Sequence, residues 1–400
     1  MKKKKKSVFY VVTREDLLSP LINTQVLDVL KNQSFENKII VWFYGAEKLL
    51  TKNYLSERKR KLEEVGLRSI FIPLISYRFP VTCWQMPLVA IQMSLSLLAI
   101  RIFWGPSLFH PRSYHSGFAA LIVNRIAKVP FIFDPRSPFP EENVMAKGWS
   151  KKGFNYRAWK FIEKEMVKNS AAVVITSPFL PMHYNLRDGG NKEYLYIPNN
   201  YPGQFEEQFP RYKKSTNDKL NNGIELIYCG SLGHWNNHEL YIDFYSNIKR
   251  FSCKNVSLTM ITNKTNHKII EGYARKKGVY VQCRESNQDD VLAKLSKACI
   301  GLYLMEGCDA RLGVKTVEYL FSGLPVIVSD KIKGASCIIR NNKLGLVLEE
   351  STTKIEIADF IKDVMVNKAD WESRCHIYAR ENFSPKKTSK DLADLYLALL

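Results

Sequence analysis

The segment DARLGVKTVEYLFSGLPVIVSD, residues 309–330, brings together residue types that bind anions. A helix that begins near Gly313 would offer unpaired backbone N–H groups and the positive end of its dipole, and a glycine lets a ligand approach the backbone closely. Lys315 adds a full charge in the first turn, and Arg311 adds a forked pair of donors. We therefore expect this segment to bind a phosphate group.

Glu318 follows Lys315 by three residues, which places both side chains on the same side of a helix. The two carboxylate oxygens of a glutamate can accept hydrogen bonds from a vicinal diol such as a ribose. Phosphate together with ribose indicates a nucleotide. The alternative is a simple ion pair between Lys315 and Glu318 on a solvated helix face, and spacing alone does not separate the two interpretations.

The elements that position this segment form a repeating strand and helix pattern. Short β-branched or aromatic runs alternate with segments of helical periodicity, and continuous apolar runs of this kind are typical of parallel sheets covered on both faces. The polar stretch at 199–223 interrupts the pattern, which then restarts. We predict strands at 7–13, 38–44, 67–74, 130–134 and 171–177, and then at 224–233, 256–262, 278–283, 300–305 and 325–330.

This pattern predicts an α/β protein with two doubly wound, Rossmann-like parallel-sheet domains. Ligands of such domains bind outside the carboxyl ends of the strands. The expected boundaries are an N-terminal domain at 1–205, a linker at 206–222, a C-terminal domain at 223–383 and a final helix at 384–400. Ser384 and Pro385 suit the start of that helix, and its apolar stripe consists of Leu392, Leu395, Tyr396 and Leu399.

The net charge of +20 calls for an anionic partner or a solvated basic surface. We find no zinc-finger, aromatic RNA-binding or helix-turn-helix motif, which argues against nucleic acid. The lysine run at residues 2–6 suits an anionic membrane surface. A lysine-rich chain with no such partner remains the alternative.

The apolar segment at 84–103 begins with Trp84 and has three interpretations. It contains Gln85, Pro87 and Arg101, which argues for a buried helix of an α/β domain over a spanning helix, while Trp84 and the basic flank would also suit a helix that dips into one leaflet. The start of the chain has too short an apolar run for a signal peptide. We expect a cytoplasmic protein.

Cysteine spacing gives no sign of disulfides or a metal site. The chain has eight cysteines without a CxxC pair, and no His/Cys cluster has zinc-ligand spacing. We interpret them as reduced thiols of a cytosolic protein. They are Cys83, Cys229, Cys253, Cys283, Cys299, Cys308, Cys337 and Cys375.

Several stretches resemble retaining glycosyltransferases of family four, which have the GT-B fold. KTVEYLFSGLPVIVSD resembles their P-x-K-x-x-E-Y-L-A-x-G-x-P-V-I segment, and IYCGSLG at 227–233 resembles the first strand and glycine loop of their carboxyl domain. Four further stretches follow in the expected order and extend the resemblance over nearly the whole chain: LLSPLINTQVLDVLK, FHPRSYHSGFAA, FIFDPRSPFPEE, and VVITSPFLPMHY with IPNN. The resemblance implies two Rossmann-like domains that face a cleft, with the final helix packed back towards the N-terminal domain.

The resemblance also implies a reaction. A hexosyl group would pass from a UDP or GDP type nucleotide-sugar to a saccharide acceptor with retention of configuration, in the assembly of a cell-surface polysaccharide such as a capsule or O-antigen. No cofactor and no metal are expected, because no paired Asp motif is present. The acceptor would be lipid-linked, and the enzyme would be peripheral on the inner face of the cell membrane.

The resemblance further assigns roles to residues. The donor would bind Gly230, Ser231, Gly233, Arg311, Leu312, Gly313, Lys315 and Glu318. Catalytic roles on the acceptor side would fall to His110, Arg112, Asp134 and Arg136, with Ser113 and Glu142 nearby. A structural role for His110 and a local ion pair between Asp134 and Arg136 remain the alternatives.

Three departures from the family pattern stand out. Ala310 occupies the position of a glutamate that meets the donor sugar, so either Asp309 or backbone amides near Leu312 would have to replace it. The usual K-G of the glycine loop is replaced by HWNNHE, which leaves His234 as a polar contact, and LLSPL replaces a glycine-rich first loop. An epimerase of the same fold and a non-catalytic membrane-apposed scaffold stay open as alternatives.

Overall fold

The computed structural model describes residues 6–35, 38–75, 85–184, 194–213, 223–233, 236–251, 255–286, 288–307 and 309–400. Within them the chain forms two compact units, residues 1–198 with 385–400 and residues 199–384. Some residues discussed above lie outside the described residues: Lys2 to Lys5, Trp84, His234, Cys83, Cys253, Cys308 and residues 214–222 of the expected linker.

The first unit is built on parallel strands. Four strands form one sheet in the order β3-β2-β1-β4. A three-stranded sheet, β5-β6-β7, continues from it through parallel bridges between Phe109 and Phe131 and between Arg112 and Asp134. The strands are β1 (Val8–Thr13), β2 (Lys38–Gly45), β3 (Arg68–Leu74), β4 (Leu108–Pro111), β5 (Ile132–Phe133), β6 (Ala172–Ile175) and β7 (Tyr194–Tyr196).

Helices connect these strands on both faces. They are α1 (Pro20–Ile22), α2 (Asp28–Lys31), α3 (Tyr54–Glu64), α4 (Met86–Trp104), α5 (Ser113–Ala127), α6 (Phe139–Lys147) and α7 (Phe154–Asn169). A π-helical turn, Asn23–Leu27, separates α1 from α2, and 3-10 turns lie at Ala46–Leu50 and Leu180–His183. Ser19 caps α1 by accepting a hydrogen bond from the Ile22 amide, so this serine and Pro20 do shape the turn.

The second unit has one six-stranded parallel sheet in the order β10-β9-β8-β11-β12-β13. Its strands are β8 (Ile224–Cys229), β9 (Val256–Ile261), β10 (Gln282–Arg284), β11 (Ile300–Tyr303), β12 (Val326–Ser329) and β13 (Gly345–Leu348). Its helices are α8 (Gln204–Lys213), α9 (His238–Phe251), α10 (His267–Lys276), α11 (Gln288–Leu295), α12 (Val314–Phe321), α13 (Lys333–Asn341), α14 (Lys354–Val366) and α15 (Lys368–Asn382). The last helix, α16 (Pro385–Leu399), belongs to the first unit.

The prediction of two doubly wound α/β domains is confirmed, and its errors are local. FHP was predicted as part of a loop, but it lies in the buried strand β4 next to β1. β7 and β13 were not predicted at all. The linker expected at 206–222 overlaps helix α8, because Phe205 and Phe209 in that polar stretch pack on the core of the second unit.

Helix α4 is long and apolar enough to cross a membrane by length and composition, a test that core helices of soluble proteins also pass. Six of its residues are buried in the first unit: Val89, Ala90, Met93, Ser94, Leu97 and Ile100. It packs on α5, where the Ser94 hydroxyl donates to the Ala119 carbonyl. One side of the helix is thus part of the core of the first unit, and the opposite side is exposed.

Candidate functional site

The candidate donor site lies at the carboxyl edge of the second sheet, where two neighbouring strands end. β8 and β11 are paired in parallel, so the loops that follow them lie side by side. Gly230 follows β8 with φ of 147°, a conformation that L side chains rarely adopt. The loop after β11 leads through Asp309 to helix α12. The topology therefore brings the predicted glycine loop and the predicted phosphate-binding helix together.

Lys315 projects from the first turn of α12 into a polar and aromatic setting. Its Nζ donates to Asn236 Oδ1 at 2.9 Å and lies 4.5 Å and 4.6 Å from the ring centroids of Tyr228 and Tyr303. Burial lowers the pKa of Lys315 to about 7. Among the described residues the ammonium group, though desolvated, forms no ion pair with a carboxylate. When protonated, this group can donate charge-assisted hydrogen bonds to a phosphate group.

Glu318 lies one turn deeper on the same helix and is half-buried. Burial raises the pKa of its carboxyl to about 7, against the opposing effect of Lys315. The two side chains do not form the ion pair of the alternative interpretation, and neither is on a solvated face. A partly desolvated carboxyl group at this position is suited to accepting hydrogen bonds from a diol.

The start of α12 is shaped by Gly313. It occupies the N-cap position with φ of 77°, and no capping side chain accepts from the first N–H groups of the helix. A Cβ at this position would lie 2.6 Å from Cε1 of Tyr303. Leu312 is fully buried, and its carbonyl accepts a hydrogen bond from Thr316 Oγ1, which fixes the helix start.

Asp309 and Arg311 form a close pair. Asp309 Oδ1 accepts from the backbone N–H of Arg311 at 2.9 Å, and the guanidinium donates to both carboxylate oxygens, with Nη2 to Oδ2 at 2.7 Å. Ala310 between them is buried. The carboxylate of Asp309 is therefore engaged with Arg311, and it orients the guanidinium near the start of α12.

The glycine loop after β8 is held by Asn236, a residue that sequence reasoning missed. Its Nδ2 donates to the Ser231 carbonyl at 3.3 Å, and its backbone exchanges hydrogen bonds with Gly233 at 3.2 and 3.3 Å. The Tyr228 hydroxyl also donates to the Ser231 carbonyl. A cavity of about 200 Å³ opens beside this loop, lined by Leu232, Gly233, Asn236, Asn237, His238, Asn266 and Ile269.

The four predicted acceptor-side residues also come together, in the first unit. His110 lies in β4, and Asp134 follows β5. Arg112, the residue after β4, forms a parallel β-bridge with Asp134. Asp134 Oδ2 lies 3.6 Å from His110 Nε2 and 3.5 Å from Arg136 Nη1. Arg136 has φ of 62°, and such strained backbone is concentrated at functional sites.

Two further residues complete this cluster. Gln25, in the π-helical turn, uses Oε1 to accept from Arg112 Nη2 at 2.7 Å and from Arg136 Nη2 at 2.9 Å. Glu15 accepts from Arg112 Nε at 2.7 Å. Two residues near the start of the chain therefore hydrogen-bond to the arginines that follow β4 and β5.

The cluster is largely buried. His110, Arg112 and Asp134 are almost inaccessible to solvent, while the side chain of Arg136 is 17% exposed. Burial lowers the pKa of His110. Burial alone would raise the pKa of Asp134, but Arg136, His110 and Arg112 hold it below its ordinary value. The pairing of Asp134 with His110 and Arg136 is what a structural role for His110 and a local ion pair would also produce. Arg136 is the member of the cluster whose side chain reaches the surface.

Ser113 and Glu142 lie close to this cluster in the chain. Ser113 begins α5 with φ of 73°, and its amide donates to the Asp134 carbonyl. Glu142 lies in the first turn of α6 and is half-buried. In the described part of the chain no group of three or more His, Cys, Asp or Glu side chains is arranged to hold a metal ion.

Residues 210–382 match the family model described as glycosyl transferases group 1. No curated protein sequence matches the chain. Among the solved structures of similar fold, HepE of Anabaena in complex with UDP and glucose has 13% sequence identity and a TM-score of 0.68, and the match covers 99% of this chain and 100% of that one. Sucrose-phosphate synthase of Thermosynechococcus elongatus has 14% identity and a TM-score of 0.72, with 98% and 99% covered. The lipopolysaccharide outer core galactosyltransferase WaaB has 12% identity and a TM-score of 0.63, with 98% and 100% covered. The chain thus has the GT-B fold of two Rossmann-like domains, with a glycosyl transferases group 1 segment in the second.

Proposed function

We propose that the protein is a glycosyltransferase that moves a hexosyl group from a UDP or GDP type nucleotide-sugar to a saccharide acceptor. The observation that carries the proposal is the desolvated Lys315 at the open start of α12, held by a neutral oxygen, with Glu318 one turn deeper. Both residues lie within the segment that matches glycosyl transferases group 1. The complexes of HepE with UDP and with UDP-glucose support a uridine nucleotide as the first donor to test.

The proposed chemistry needs charge stabilisation at the leaving group. The bond between the anomeric carbon and the diphosphate oxygen breaks, and the acceptor oxygen bonds to that carbon on the same face. The acceptor proton passes to the leaving diphosphate. Lys315 and the first N–H groups of α12 stabilise the growing negative charge, so the step requires no metal ion.

The cluster of the first unit would act on the acceptor side. We assign contact with substrate to Arg136, because its guanidinium reaches the surface. His110, Arg112 and Asp134 then serve as the buried support that fixes the position of Arg136, together with Gln25.

The acceptor we propose is a lipid-linked saccharide at the inner face of the cell membrane, in cell-surface polysaccharide assembly. The net charge of +20, the N-terminal lysine run and the exposed face of α4 support a membrane location. The name of WaaB supports the polysaccharide class.

Isothermal titration with UDP, GDP and other nucleoside diphosphates tests the donor site. A positive result leads to donor turnover with lipid-linked and soluble saccharides, with and without a chelator, and to proton NMR of the product's anomeric configuration. Isomerisation of the donor without an acceptor would indicate an epimerase. Absence of nucleotide binding would indicate a scaffold, an alternative favoured by Ala310 and by the engagement of Asp309 with Arg311.

A further inference from the structure

Three helices of the first unit form one layer over its sheet. α4, α5 and α7 each connect parallel strands in the same direction across the sheet, and right-handed crossovers place them on the same side. α5 packs against both α4 and α7. Their outward surface, here called the α4–α5–α7 face, is unlike the rest of this basic protein.

The α4 part of this face is an apolar stripe. Leu88, Ile91, Leu95 and Ile102 follow helical spacing and are 61%, 54%, 62% and 78% exposed. Phe103 and Trp104 extend the stripe at the end of the helix and are exposed as well. With a rise of about 1.5 Å per residue, the stripe is roughly 25 Å long.

The α7 part of the face combines aromatic rings with positive charge. Phe154 and Phe161 are 76% and 65% exposed, seven residues apart on one side of the helix. Arg157, Lys164 and Lys168 are exposed on the same side. Ile126 of α5 adds a further exposed apolar side chain, and Lys128, just after α5, adds charge.

The three helices, all within the described residues, present no free acidic group on this face. α4 and α5 contain no Asp or Glu. In α7, Glu163 is fully buried and accepts from the Tyr114 hydroxyl, while Glu165 pairs with Arg125. In a chain with 39 acidic residues, three helices in one layer without an exposed unpaired acid mark a surface suited to an anionic partner.

We infer that the α4–α5–α7 face docks on an anionic lipid bilayer, with α4 lying in the plane of the interface. Large exposed aliphatic and aromatic side chains interleaved with cations are typical of interfacial helices. Nucleic acid would match the charge but not the aliphatic stripe. α4 cannot span the bilayer in this structure, because its other side forms part of the core of the first unit. The inference rests on the proposed function for the choice of a lipid-linked acceptor.

Co-sedimentation with vesicles of phosphatidylcholine, with and without phosphatidylglycerol, tests the inference on the full chain. One variant, Ile91→Ser with Leu95→Ser, removes part of the apolar stripe. A second, Arg157→Glu with Lys168→Glu, reverses charge on α7. The control, Lys59→Glu with Arg60→Glu, makes the same charge change at exposed positions of α3, which covers the opposite side of the sheet.

We expect the wild-type chain and the α3 control to bind phosphatidylglycerol vesicles alike, since all variants keep the N-terminal lysine run. The α7 variant should bind about tenfold or more weakly at low salt, because each cation near an anionic surface contributes measurably. The α4 variant should lose the binding that persists in high salt.

Equal binding by all four proteins would overturn the docking face and leave diffuse charge as the cause. Loss of a concentration-dependent dimer in the α4 variant, with vesicle binding unchanged, would overturn it in favour of a second copy of the chain. Melting temperature and nucleoside diphosphate affinity, measured on each variant, report the fold and the donor site. Vesicle binding needs no donor, so failure of the proposed function and failure of the docking face give different results.

Discussion

At the residue scale, the proposed donor site depends on a lysine that the protein has desolvated without pairing it with a carboxylate. Tyr228 and Tyr303 contribute ring faces, and Asn236 contributes a neutral oxygen, so Lys315 is held in place by groups that carry no charge. Such a group gains more from an arriving diphosphate than a surface lysine does, because its desolvation largely precedes binding.

Lys315→Ala should weaken nucleoside diphosphate binding by about 1.5–3 kcal/mol, the scale of a charge-assisted hydrogen bond. Isothermal titration measures the change. Lys354→Ala, which removes an exposed lysine from the start of α14, is the matched control and should leave the affinity unchanged. Equal affinity in wild type and Lys315→Ala would refute the assignment of the phosphate site.

The lowered pKa of Lys315 predicts pH-dependent donor binding. Before the donor binds, Lys315 loses its charge as the pH rises through about 7, and Glu318 gains charge over the same range. Loss of the Lys315 charge opposes an anionic ligand, so affinity for a nucleotide-sugar should fall above about pH 7, by up to about tenfold per pH unit. Binding should also take up protons, which titration in buffers of different ionisation enthalpy detects.

Two variants separate these contributions. Lys315→Arg keeps its charge at all these pH values and should remove the lysine's part of the profile, whereas Glu318→Gln should remove the carboxylate's part. A wild-type affinity that is constant from about pH 6 to about pH 9 would contradict the lowered pKa of Lys315.

The sequence predicted those candidate site residues whose amino-acid type itself indicates the chemistry. It missed residues that come from distant parts of the chain. Gly313, Lys315 and Glu318 follow one another closely along the chain, so their types and spacing indicated a nucleotide site beside the alternative of a simple ion pair. Asn236 is 79 residues from Lys315 in the chain, and Gln25 is 87 residues from Arg112. An amide side chain in a polar segment gives no local sign of such a partner, because the contact is created by strand order.

At the element scale, the short helix α12 depends on a glycine for two reasons. Gly313 has φ of 77°, and a side chain there would also meet the ring of Tyr303, which lies over Lys315. Gly278, after α10, has a similar φ of 69°, but a Cβ added there would have no atom within 4 Å. Gly278 is therefore a control for a positive φ without a steric conflict.

Gly278→Ala should lose about 1–2 kcal/mol of stability from left-handed backbone strain. Gly313→Ala should lose more, because φ of 77° with ψ of 130° lies outside the left-handed helical region and the new Cβ would meet the Tyr303 ring. Only Gly313→Ala should also displace Tyr303 and weaken nucleoside diphosphate binding. Thermal unfolding and isothermal titration on both variants measure the two effects. Similar affinities for the two variants would show that the site tolerates a shift of Tyr303.

Element prediction succeeded for strands within continuous apolar runs and failed for β4, β7 and β13. β1 and β2 each carry six aromatic or β-branched residues in a row. β4 has only four residues, Leu108–Pro111, and its histidine and proline resemble a loop. Its strand character comes from pairing with β1 at the centre of the sheet, which a local pattern does not reveal.

At the scale of the whole molecule, chain order and spatial order differ. α16 ends the chain but belongs to the first unit. Leu392 and Tyr396 of α16 are buried beside residues of β1, β4 and β6. The Tyr396 hydroxyl shares a hydrogen bond of 2.6 Å with His110 Nδ1, so the buried cluster of the first unit is completed by the last residues of the chain.

Tyr396→Phe should destabilise the first unit by about 1–3 kcal/mol, because it leaves His110 Nδ1 buried without its partner. The second unit, residues 199–384, should keep its stability and its nucleoside diphosphate affinity. Calorimetry with and without a nucleoside diphosphate identifies the transition of the second unit, since only that transition should shift with ligand. Tyr280→Phe, at an exposed tyrosine of the second unit, is the control and should change neither transition.

A chain ending at residue 384 should lower the transition temperature of the first unit further than Tyr396→Phe does, since it also uncovers the apolar surface beneath Leu392. If that truncated chain kept both transitions, the first unit would not depend on α16, and the pairing of His110 with Tyr396 would have no role in holding the acceptor-side cluster together.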